Sequence, residues 1–180
     1  MDQQQVVQLL YWLGVSAWFG GLLLLTLGLP AVFVAVREAD PTLGRFINVE
    51  LEGQHIGLLS ARLHEALAEA FRPVAWLSAV SVTLAVAGQW VGQVINDFPN
   101  DPTRLTLRTL LLIVAGALLL YDALRVAPRV RQARDSAEAA VRDTVKAELL
   151  SRDLEAARTE RVTVSQIMLA ALLGLIVFGA

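Results

Sequence analysis

The stretch LTLRTLLLIVAGALLLYDALRVAPRVR, Leu105 to Arg131, carries the reading of the fold. Between Arg108 and Asp122 it holds no charge, and it shows no alternation of apolar and polar residues. From Leu105 to Val126 it would rise, as a helix, by roughly 33 Å at ~1.5 Å per residue, enough for a hydrocarbon core of ~30 Å. Backbone amides in hydrocarbon must be satisfied within their own segment, so such a run is read as a membrane-crossing helix. Asp101 and Pro102 supply an N-cap and a first-turn proline. The far end leaves through Arg125, Arg129 and Arg131.

Three more runs have the same character: Val6–Val36, Val74–Ile95 and Val162–Ala180. The first is longer than a bilayer needs, so it must tilt, kink or protrude, and Pro30 is the expected kink. Met1–Gln5 lacks the positive charge of a cleaved signal peptide, and the apolar run is too long for one. Of the 180 residues 56% are apolar, and the excess lies in these four runs. Soluble domains stand nearer ~45–50%. The absence of cysteine excludes disulfides and Cys-ligated zinc or iron–sulfur clusters.

Charge sets the expected orientation. Four spans leave two loops on one side and both termini with the middle loop on the other. Thirteen of the 15 Lys and Arg residues fall in or beside the two loops, from Arg37 to Arg72 and from Arg125 to Arg161; only Arg104 and Arg108 lie opposite. The positive-inside rule places residues 37–73 and 127–161 in the cytoplasm and both termini outside. Tyr11, Trp12 and Trp90 are expected at the outer interface and Trp76 at the inner one.

Small residues recur along the early spans: Gly14, Gly21 and Gly28 in the first, Ser81, Ala85, Gly88 and Gly92 in the second, and Gly116 in the third. Lipid gives helices no hydrophobic drive to pair, so faces that admit close backbone approach are expected to pack. Two amphipathic helices are expected in the cytoplasmic segments, over 49–71 and 129–161. In the first, Ile56, Leu59, Leu63, Leu67 and Ala70 form an apolar face, opposite His55, Arg62, Glu65 and Glu69. In the second, spacings such as Arg134–Glu138 suit helical ion pairs.

Candidate chemistry is sparse. Glu52 and His55 have the Glu-x-x-His spacing of carboxylate-bridged metal bundles, which use two such copies; this chain has one, so the pair is a candidate metal site weighed against an exposed polar face. His55 and His64 lie on one segment, the wrong arrangement for bis-histidine haem. Asp122 is the one carboxylate inside a span, with Arg125 three residues on and Arg37, Arg72 and Arg129 also expected within reach. An intramembrane carboxylate suggests proton or cation handling, against a structural ion pair. Gln89 and Gln93 are expected to bond between helices, and Arg108 to reach outward to Asp97 or Asp101. No phosphate loop or nucleophile constellation is present, and acids balance the basic loop, against nucleic-acid binding.

Three places resemble a bacterial family of four-span membrane proteins related to eukaryotic transmembrane protein 205. They are Trp18–Gly21 running through Leu29–Phe33, Tyr121–Arg131, and the entry at Glu160–Thr163. Glu160 stands where that family tends to have a histidine. The resemblance implies a fold and a bacterial inner-membrane location, and no reaction or cofactor. The expected architecture is therefore an all-α, polytopic membrane four-helix bundle with two cytoplasmic amphipathic segments. Its partners are the lipid bilayer and other membrane-protein subunits. Two roles stay open: a non-enzymatic structural or accessory subunit, or a small transport or metal-handling protein using Asp122 or the Glu52–His55 region.

Overall fold

A computed structural model describes residues 3–29, 31, 55–96, 101–139 and 144–179, with all their side chains except those of residues 3, 55–62, 96, 137–139 and 144–151. The described chain is helical and contains no strand: α1 (Gln3–Leu23), α2 (His55–Asn96), α3 (Pro102–Tyr121), α4 (Ala127–Ala139) and α5 (Thr144–Gly179). Four stretches are long and apolar enough to cross a membrane: Gln4–Gly28, Leu63–Ile95, Pro102–Ser136 and Arg152–Gly179. The all-α architecture with four such helices agrees with the sequence.

The helices run further than the apolar runs. Pro73 lies inside α2, which continues unbroken from His55 to Asn96. The described part of the 49–71 segment is therefore one helix with the second span. Pro73 is exposed, so its ring faces away from the packed side, and the helix forgoes one hydrogen bond. Likewise α5 passes from Thr144 directly into the fourth apolar run. At the other end of the third run the expected cap is present: Asp101 Oδ1 accepts the Thr103 N–H at 2.9 Å, and the Asp101 carbonyl accepts the first helical bond, from Leu105, at 3.1 Å.

Two π turns interrupt the α pattern, Leu24–Gly28 and Asp122–Val126. In them the Leu29 and Ala127 N–H groups donate to the carbonyls five residues back, Leu24 and Asp122. Pro128 follows the second turn. It has no N–H, and in a regular helix its ring would press on the carbonyl of Leu124. A widened turn moves that carbonyl aside and lets α4 continue. Pro30 has the same sequence spacing from the first turn, but the kink expected there lies outside the described residues.

The chain groups into two compact units: Met1–Leu22 with Phe71–Leu120 and Ser165–Ala180, and Leu23–Ala70 with Tyr121–Val164. In the first, residues spaced three and four apart face inward: Tyr11, Val15, Trp18 and Leu22 on α1; Ala75, Ala79, Val82 and Val86 on α2; Leu105, Ala115 and Leu119 on α3; Met168, Leu172 and Leu175 on α5. Contact between α1 and α2 is close. A Cβ on Gly14 would stand 2.8 Å from Val82 Cγ2 and 3.1 Å from the Ser78 carbonyl oxygen, and one on Gly21 would overlap the Phe71 ring. Ser81 uses this approach to donate its hydroxyl to the Leu10 carbonyl at 3.0 Å. Gly88 abuts Val7, while Ala85 and Gly92 are buried.

Two of the expected packing glycines are placed otherwise. Gly116 has no neighbouring atom within 4 Å of a built Cβ, because Ala115 and Leu119 carry the inward face of α3. Gly28 meets only Leu24 of its own helix turn. Close approaches not expected from sequence occur on α5, where Gly174 faces Leu111 and Gly179 faces the Tyr11 ring.

Candidate functional site

The second unit has a small apolar core, including Val126, Val130, Leu154 and Ala157, with a network of paired charges beside it. Helix α2 contributes His64, Glu65 and Glu69; the π turn and α4 contribute Asp122, Arg129, Arg131 and Arg134; α5 contributes Arg158, Glu160 and Arg161. Glu65 is 5% exposed and is clamped by two guanidiniums. Arg131 Nε lies 3.2 Å from Glu65 Oε1, and Arg134 donates to Glu65 Oε2. Arg131 also pairs with Glu69, and Arg134 with Asp135 at 2.8 Å. Arg134 thus bonds across helices to Glu65, whereas its expected partner, Glu138, lies outside the described side chains.

This arrangement reverses the expected faces of the 49–71 segment. Leu63 and Leu67 are exposed, and Glu65 points in. Of the charged stripe, Glu65 is the member that packs, and the side chains of His55 and Arg62 lie outside the described residues. Without Glu65, Arg131 and Arg134 would face each other with no shared carboxylate, which is what holds it inward. Glu69, on the edge of the stripe, stays half exposed.

Asp122 sits at the start of the second π turn and pairs with Arg161, whose Nε lies 3.5 Å from Asp122 Oδ1. The expected partner was Arg125. That pairing does not form, since the extra residue in the π turn rotates Arg125 to an exposed position, while both members of the Asp122–Arg161 pair are largely buried. The charges of Arg161, Arg158 and Asp122 all act on His64. Next to Arg161 on α5, Glu160 accepts from the Tyr121 hydroxyl at 2.7 Å and from Arg129 at 2.9 Å. Arg161 and Glu160 were not singled out for these roles. The available signal was position: Arg161 is the last charge before the fourth apolar run, and Asp122 marks the matching end of the third.

Polar contacts in the first unit are few and specific. The Tyr11 hydroxyl donates to the Leu175 carbonyl at 2.7 Å, and its ring is buried within the unit. Arg108 turns inward, donating to Gln89 Oε1 at 3.1 Å and to the Phe178 carbonyl, with its guanidinium 5.6 Å from the Tyr11 ring centre. Of the two carboxylates expected for Arg108, Asp97 lies outside the described residues and Asp101 pairs with Arg104 instead, at 3.9 Å. Gln89 makes the expected bond between helices. Trp90, partly exposed, donates to Thr109 Oγ1 at 2.9 Å.

Glu52 and the His55 side chain lie outside the described residues, and with them the candidate metal pair. Among the described residues no three His, Asp or Glu side chains gather as metal ligands. No family model, curated protein or solved structure matches the chain.

Proposed function

We propose that the protein is an integral, multi-pass membrane protein of the bacterial inner membrane, non-enzymatic, acting as a structural or accessory subunit of a larger membrane complex. The observation that carries the membrane reading is the exterior of the four long helices. Leu77 is 72% exposed, Val94 78% and Val177 62%, and similar residues cover the outward side of each helix. Water would leave such a surface uncompensated; hydrocarbon covers it at no cost. Both termini outside, with 37–73 and 127–161 cytoplasmic, is the orientation the arginine distribution supports. The resemblance to the four-span family belongs to the same proposal.

The accessory reading rests on the second unit. Its buried carboxylates Glu65 and Asp122 are each held by arginine, an arrangement suited to fixing helices in register. The chain contains no cysteine, so single cysteines introduced at Gln5 and at Asp135 report sidedness cleanly. In intact spheroplasts an impermeant maleimide is expected to label position 5 and spare 135, and the opposite result defeats the orientation. Mild-detergent purification followed by mass spectrometry tests the role: stoichiometric partners support it, and a protein that purifies alone counts against it. A transport role has one observation in its favour, the placement of Asp122 on a π turn within the electrostatic reach of His64 and Arg161. Loss of ion flux in Asp122→Asn proteoliposomes, relative to active wild type, would favour that reading.

A further inference from the structure

The π turn that sends Asp122 inward leaves Arg125 without a carboxylate partner among the described residues. Other arginines of the second unit are engaged: Arg129 with Glu160, Arg131 with Glu65 and Glu69, Arg134 with Glu65 and Asp135, and Arg161 with Asp122. Arg125 is exposed, next to Leu124, which is 76% exposed, and its charge acts on the Tyr121 hydroxyl one turn back. Arg129, one turn on, is exposed too and commits one nitrogen to Glu160. This stretch therefore presents a bare leucine and an unpaired guanidinium, followed by a second guanidinium with donors to spare; the Tyr121 hydroxyl is taken up by Glu160, the carboxylate that also holds Arg129.

We propose that this stretch, Tyr121–Arg129, is a binding site for the phosphate of an anionic phospholipid in the cytoplasmic leaflet, held by Arg125 with support from Arg129, its acyl chain lying on Leu124. The inference rests on the membrane reading above. Guanidinium and phosphate match in geometry and charge, and an arginine at the end of an apolar stripe reaches for headgroups with its stem in the acyl region. The occupant is a lipid, not a free anion, because Leu124 offers an apolar surface beside the charge. It is a lipid rather than an acidic protein segment because, in the orientation proposed above, Leu124 and Arg125 stand at the cytoplasmic end of a span, where acyl chain and headgroup meet.

The test reconstitutes the full chain in phosphatidylcholine vesicles containing phosphatidylglycerol, then extracts it in mild detergent for native mass spectrometry. Wild type is expected to retain phosphatidylglycerol over phosphatidylcholine. Arg125→Gln should lower that retention roughly five-fold, the equivalent of about 1 kcal/mol per arginine near an anionic surface. Arg125→Lys should keep most of it, and Arg104→Gln, at the opposite end of α3, should change nothing. Millimolar inorganic phosphate should not displace the lipid. Carbonate-resistant insertion into neutral vesicles is measured in parallel for each variant. Wild type that fails to insert defeats the membrane reading and this site with it. Inserted protein whose lipid retention is unmoved by Arg125→Gln, or is abolished by free phosphate, overturns the site alone.

Discussion

The two units differ in the polar contacts that join their helices. Both expose leucine and valine. The first fills its inside with small and apolar residues, and its polar groups are single bonds to a carbonyl or an amide, such as Ser81 to Leu10 and Arg108 to Gln89. The second has small apolar residues inside too, such as Val126, Val130 and Ala157, and joins its helices in addition through carboxylates paired with guanidiniums, of which Glu65 is buried. The difference teaches that an apolar exterior says little about how helices are held. Shape holds the first unit: Gly14 and Gly21 let backbones approach until dispersion does the work. Charge holds the second, and each pair depends on its partner being present.

The comparison breaks most readily at its tightest point. Gly14→Leu places a side chain against the Ser78 carbonyl and Ser81 Cβ, neither of which can yield without moving α2. A loss of about 3 kcal/mol is expected, read as the shift in SDS-unfolding midpoint in mild-detergent micelles. A loss below about 1 kcal/mol would mean that shape is not what holds this unit.

Next is Glu65→Ala, which leaves Arg131 and Arg134 without their shared carboxylate. Removing one partner of a fully buried pair costs about 3–5 kcal/mol. Because these guanidiniums are partly solvated, about 2 kcal/mol is expected here. Raising salt in the same assay should narrow the gap between wild type and variant, whereas the Gly14→Leu deficit should not respond. Asp122→Asn is smaller. The amide keeps the shape and loses the charge that faces Arg161, so about 1 kcal/mol is expected. A deficit as large as that of Glu65→Ala would make the pair a principal structural contact of the unit.

The sequence made the four long apolar helices and several contacts legible, but not that the amphipathic segments run on into them. Residues 105–126 read as a helix because nothing else survives in hydrocarbon, and Asp101 caps it as its side chain requires. Gly14, Gly21 and Gly88 stood out because small residues at three- and four-residue spacing permit close approach. What stayed hidden was which way a face points. In water an apolar stripe turns inward, but where the surroundings are apolar that rule loses its force. Leu63 and Leu67 are exposed and Glu65 is buried because its partners, Arg131 and Arg134, lie on another helix and leave no mark in the 49–71 pattern. The Asp122–Arg125 pair was a reasonable reading of a three-residue spacing in a regular helix. It failed because Pro128, two residues past the π turn, changes the register that spacing assumed. Arg108 was sent outward on charge alone, when its neighbours on other helices, Gln89 and the Phe178 carbonyl, decided its direction.

The smallest effect is the most discriminating. Gly116 has the same sequence credentials as Gly14: it sits in an apolar run with small residues at seven-residue spacing. A Cβ at Gly116 meets nothing within 4 Å, whereas one at Gly14 meets three atoms of α2 inside 3.3 Å. Gly116→Ala should therefore leave the fold intact and, by removing a flexible residue from a helix interior, raise stability by about 0.5–1 kcal/mol at most. The same SDS titration reads it, now as a shift upward. Were Gly116→Ala to destabilise by 1 kcal/mol or more, the α3 surface around residue 116 would be packed against something in micelles, a second copy being the simplest candidate. Size-exclusion chromatography with light scattering on wild type and variant would then show an oligomer lost by the substitution. A neutral or stabilising result leaves the repeat in α3 as a spacing without a contact, and the contrast with Gly14 as the measure of how much three-dimensional neighbours add to a pattern of small residues.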